Sequence, residues 1–201
     1  MSPGRQASGS PSETSPSETP AGHPEARARQ ICLRLLTAAP RTRAQLAAAL
    51  SRRGVASEAA EAVLGRFADV GLIDDAAFAR AWVESRHYSR GLSRRSLSAE
   101  LRRNGVDAEE IREAVANLDP ELEVATARRL VEQKMAGTRG QPPEQRIRRA
   151  ASLLARKGYP PGLVFRLIKE ALEQEAPDEP IGFELDADQY LDPDNDPDEA
   201  S

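Results

Sequence analysis

Few residues in this 201-residue chain can do covalent or metal chemistry. It has two histidines and one cysteine. His23 lies among Ser, Pro and Thr, which leaves His87 with no second histidine or cysteine to share a metal ion. Cys32 falls on one helical face with Leu36, the place of a buried, inert thiol. Asp74-Asp75 is a carboxylate pair, but it opens a helical run and reads as an N-cap followed by a dipole-stabilising acid. Gly137-Thr-Arg-Gly140 lacks the Gly-Lys-Ser/Thr ending of a phosphate loop. Asp192, Asp194 and Asp196 have the spacing of a calcium loop, but Pro197 stands where that loop needs glycine. The sequence therefore predicts a binding protein and not an enzyme, with no metal and no cofactor.

Arginine is the residue type left to explain. Arg86 and Arg90 lie one helical turn apart, and Arg94, Arg95, Arg102 and Arg103 follow within the next helical run. At 100° per residue, Arg95 and Arg102 form a stripe well away from Leu97 and Leu101. A solvated face accounts for such a stripe, and so does a polyanionic or acidic, filament-like partner. Arg52, Arg103 and Arg156 recur at helix ends, where a cation also meets the negative end of the helix dipole.

Net charge sharpens the choice. The chain sums to −4, but residues 1–25 carry −2, residues 26–175 carry +8, and residues 176–201 carry −10 with no base at all. A basic body thus lies between two acidic tails. The tails, 1–24 and 176–201, have the composition of disordered segments; Ser-Pro-Ser-Glu-Thr occurs twice in tandem in the first. No apolar run approaches the roughly 18 residues of a membrane span, and the N-terminus has no apolar signal core. With a single cysteine, the expectation is a cytoplasmic protein.

The body that must position these arginines reads as helices throughout. Apolar residues recur at i and i+4, as in Ile31/Leu35, Leu46/Leu50, Val63/Phe67, Phe78/Trp82, Ile111/Val115 and Leu163/Leu167. Thr42, Ser57, Asp74, Ser93 and Asp107 stand at N-cap positions, Asp107 with Glu110 in capping-box spacing. Pro120 and Pro142 suit a first helical turn, and Gly54, Gly91, Gly105 and Gly158 suit helix ends.

Those glycines expose a repeat. Leu50, Leu101 and Leu154 stand four residues before Gly54, Gly105 and Gly158, and Val55, Val106 and Tyr159 stand one after. The prediction is an all-α chain of three tandem three-helix, helix-turn-helix-like repeats at 25–73, 74–118 and 119–175. They would form an elongated, curved solenoid in which adjacent units bury each other's apolar faces. Taken alone, 43–75 resembles a winged helix-turn-helix, the alternative being a DNA-binding transcriptional regulator. Against it, Glu58 and Glu61 make the would-be recognition helix acidic, and Asp74-Asp75 opens a helix where a wing should form.

Gly71-Leu72-Ile73-Asp74-Asp75, Phe78-Ala79, Arg86, Gly91, Glu100-Leu101 and Gly105-Val106 together resemble the bacterial RecX regulators. Asn104 and Ser89 depart from that pattern, standing where lysine and a second glycine are common in the family. The resemblance implies tandem three-helix repeats lying in the groove of the RecA filament on single-stranded DNA. It implies inhibition of recombinase, ATPase and coprotease activities without catalysis. The expected partner surface is Arg86, Arg90, Arg94, Arg95, Arg102 and Arg103. Leu72, Ile73, Asp74, Asp75, Phe78, Ala79, Gly91, Leu101 and Gly105 are expected to be structural motif residues. A monomer with weak nonspecific DNA binding is expected.

Overall fold

A computed structural model describes residues 24–175. These form nine α-helices and no strand: α1 (Pro24–Ala38), α2 (Arg43–Ser51), α3 (Ser57–Asp69), α4 (Asp75–Arg90), α5 (Arg94–Arg103), α6 (Ala108–Ala116), α7 (Pro120–Gly137), α8 (Pro143–Arg156) and α9 (Pro161–Glu175). They pack as three units of three helices, α1–α3, α4–α6 and α7–α9. Apart from Pro24, the first residue of α1, the two acidic tails lie outside the described residues. No described helix is long and apolar enough to cross a membrane.

Most helix starts follow from their caps. Thr42, Asp74, Ser93 and Asp107 each accept a hydrogen bond from a first-turn backbone N–H. Ser57 does not cap: Ala56 occupies the cap without a side-chain bond, and Ser57 is the first residue of α3. The capping box belongs to Thr42 and Gln45, whereas Asp107 bonds Glu109 N at 2.9 Å. Pro142 is the N-cap of α8 rather than part of its first turn, a place taken by Pro143. Gly54, Gly91, Gly105 and Gly158 all have positive φ, the left-handed turn that stops a helix.

Each unit closes its own core. Ile31, Leu46, Leu50, Leu64 and Phe67 fill the first; Val83, Leu97, Leu101, Val106 and Ile111 fill the second; Val131, Met135, Ile147, Leu154, Val164 and Ile168 fill the third. Adjacent units therefore do not merge their apolar faces as the repeat predicted. Three amphipathic helices suffice to cover one another, so the apolar stripes are used up within a unit. Free Cys32 is buried in the first core, and burial pushes its thiol up.

The seams between units are polar and follow one design. At the first seam, Thr42 Oγ1 donates to Asn104 O at 2.7 Å, Gln45 Nε2 donates to Asn104 Oδ1 at 3.1 Å, and Arg43 N donates to Asp75 Oδ1 at 2.9 Å. At the second, Ser93 N donates to Lys157 O at 3.0 Å, and Arg94 N donates to Glu123 Oε1 at 2.8 Å. The starts of the first two middle helices, α2 and α5, thus dock on the closing turns of the middle helices of the units that follow. The equivalent carbonyl in the first unit, Arg53 O, accepts from Arg27 Nη2 of α1 at 2.9 Å. Glycine is needed twice over at the receiving turns. A Cβ on Gly105 would sit 2.3 Å from Ala44 Cβ, and one on Gly158 would sit 2.1 Å from Ser96 Oγ.

Candidate partner-binding surface

The six arginines expected to form the partner surface divide in the structure. Arg94 belongs to the second seam. Its guanidinium donates to Leu118 O, and its Nε lies 3.4 Å from Glu123 Oε2. Both side chains are largely covered, at 30% and 17% exposed, so Arg94 is bound within the chain.

Arg86 is half-buried and lies over the Trp82 ring, 4.3 Å from its centroid. Trp82 stacks in turn on Phe78 at 5.4 Å and donates from Nε1 to Glu100 Oε2 at 2.8 Å. The spacing i, i+4, i+8 along α4 produces this stack, and α5 supplies its acceptor. Arg86 is therefore held in one place rather than free to wander, which lowers the entropy it would lose on meeting an anion.

Arg95, Arg102 and Arg103 are exposed on α5, the first two on the side away from buried Leu97 and Leu101. Exposed Arg90, at the end of α4, points to a different neighbourhood. It lines a cleft of about 610 Å³ at the second seam with Arg129 of α7 and with Arg156 and Lys157 at the end of α8. Leu92, Leu130 and Leu153 form apolar wall, and Tyr88 stands at the rim, 89% exposed. No carboxylate lines this cleft. Lys157 donates to Arg90 O across it; burial, then the charges of Arg156 and Arg90, hold its ammonium below the usual lysine range.

The motif residues shape the seams and the second core. Ile73, Ala79 and Leu101 are buried, while Leu72 is half-exposed. Asp74 caps α4 by accepting from Ala77 N at 2.7 Å, and Asp75 reaches across to Arg43 N. Gly91 ends α4 in a left-handed turn, its carbonyl accepting from Tyr159 OH at 3.1 Å. Phe78 and Trp82 carry Arg86, and Gly105 gives Ala44 room.

Sequence reasoning missed three contributors. His87 is buried at the second seam, with Nδ1 2.8 Å from Leu92 O and Nε2 3.1 Å from Thr126 Oγ1. A carbonyl can only accept, so Nδ1 donates to Leu92 O, and Nε2 is paired with the threonine hydroxyl. Arg129 and Lys157, 28 residues apart in sequence, had no signal linking them to Arg90. Among the described residues, no group of acids, histidines and cysteine is arranged to hold a metal ion.

Comparison with known proteins covers all three units. Family models described as the first, second and third three-helix domains of RecX match residues 28–67, 74–115 and 121–168. The chain is 60% identical over 150 residues to the regulatory protein RecX of Thermobifida fusca, covering 75% of this chain and 81% of that protein. It is 56% identical over 159 residues to the regulatory protein RecX of Streptomyces coelicolor, covering 79% and 85%. The crystal structure of RecX from Lactobacillus salivarius superposes with a TM-score of 0.66 at 17% identity, over 74% of this chain and 96% of that one. A second crystal structure of a regulatory protein RecX gives a TM-score of 0.66 at 24% identity, over 75% of each chain. At these identities the two structures speak for the fold alone.

Proposed function

The chain belongs to the RecX family, and from that premise we propose that it binds the RecA filament on single-stranded DNA and inhibits RecA. Recombinase, ATPase and coprotease activities would all fall, which would restrain recombination and repair in the cytoplasm. The protein acts as a monomer, by binding and without chemistry of its own.

The observation that carries this reading is the joining of three family-matched units by two seams of the same design, with exposed arginines on the middle unit. A tandem array can meet several neighbouring subunits of a helical polymer at once. Each contact then acts at high effective concentration once the first has formed, so an assembled filament is favoured over free subunits.

The test is RecA-catalysed strand exchange and single-strand-dependent ATP hydrolysis with the full chain added at micromolar concentration. Inhibition of both supports the reading. Unaltered rates with an intact, helical protein would refute it.

A further inference from the structure

The cleft at the second seam gathers Arg90, Arg129, Arg156 and Lys157 around Leu92, Leu130 and Leu153, without a carboxylate. Such a site suits an acidic peptide with interspersed apolar residues. The chain contains one. Residues 176–201 hold ten acids and no base, and within them Ile181, Phe183 and Leu185 alternate with Glu184 and Asp186. We propose that this cleft is the docking site for the chain's own acidic segment following α9, with residues 181–188 as its occupant.

Reach is sufficient. The segment starts after Glu175, whose carboxylate pairs with Arg146 at 2.5 Å near the start of α8. Arg156 lies ten residues along α8 from Arg146, about 15 Å at the helical rise. Eight residues of extended chain, from Glu175 to Phe183, span up to roughly 26 Å. Charge agrees as well, since the cleft cations lie within the +8 body and the segment carries the chain's largest block of negative charge. The segment would then compete with any polyanion for the cleft, an internal brake on the basic surface. This inference does not depend on RecA, and it is tested without RecA.

Lysine scarcity makes the test site-specific. Lys134, Lys157 and Lys169 are the only lysines. A carbodiimide joins a lysine amine to a carboxylate with loss of water and leaves no spacer, so only direct contacts are captured. With the full chain, Lys157 should carry the amide bonds to residues 178–199, several-fold above exposed Lys169. These links should fade at 1 M NaCl, where screening acts within about 3 Å. They should also fade in Arg90→Glu/Arg129→Glu, whose folding is checked by circular dichroism. Mixing isotope-labelled and unlabelled chains separates the two origins: same-chain links support the proposal, and links between chains overturn it. Equal labelling of all three lysines, or Lys157 links that survive the double charge reversal, would also overturn it.

Discussion

The Asp75 carboxylate, in the first turn of α4, accepts a hydrogen bond from the backbone N–H of Arg43, the first residue of α2, at 2.9 Å. One acid thus lies at two helix N-termini in consecutive units. Glu123 repeats the relationship with Arg94 N at 2.8 Å. Because the three cores are separate, these bonds and the adjoining cap contacts hold the units in register. Asp75→Ala should cost about 1.5–3 kcal/mol, as loss of a charge-assisted bond at a helix start. Combined with Thr42→Ala at the same seam, it should be non-additive in urea unfolding. Strict additivity would mean that the two bonds do not act as one seam.

The glycine turns separate backbone need from packing need. Gly54 and Gly105 have φ of 70° and 77°, so alanine at either costs about 1–2 kcal/mol for left-handed backbone. Only at Gly105 would the new methyl meet a neighbour, Ala44 Cβ. Gly105→Ala should therefore destabilise clearly more than Gly54→Ala by thermal unfolding. Adding Ala44→Gly should recover part of the excess, and equal losses at the two glycines would contradict the seam.

The arginines should divide by assay. Arg95→Glu/Arg102→Glu should weaken RecA inhibition while changing stability by no more than about 0.5 kcal/mol, since both side chains are exposed. Arg94→Ala should lower the melting temperature, because it removes the Leu118 and Glu123 contacts. Unaltered inhibition by the double reversal would return that stripe to solvent.

Glu110 gives a pH-dependent test. Burial and the nearby Asp75 carboxylate hold its carboxyl above the usual range, against the pull of a hydrogen bond from the Asp107 backbone that lowers it. A raised folded-state pKa favours the protonated form in the fold. That contribution is full below the unfolded glutamate value of about 4.3 and is lost as pH rises through the folded value. Glu110→Gln should therefore raise the melting temperature at neutral pH and lose its advantage in acid. No stabilisation at pH 7 would contradict this environment.

Periodicity and punctuation made the helices legible, because caps and left-handed glycines act within a few residues of themselves. Leu50, Leu101 and Leu154 gave the repeat for the same reason. An apolar stripe does not say whether it faces its own unit or the next, so the separate cores were not legible. Nor was Arg94: in sequence it looks like Arg95, and only its place beside Glu123, 29 residues on, removes it from the surface. Arg90 was legible as a cation, but the cleft it shares with Arg129 and Lys157 depends on how α4, α7 and α8 meet.

Sedimentation with RecA tests the central claim most directly. The full chain at micromolar concentration is spun with RecA assembled on single-stranded DNA, with RecA lacking DNA, and with the DNA alone. The array should pellet with the filament and remain in the supernatant with unassembled RecA. Equal recovery with DNA alone, or no recovery with the filament, would contradict it.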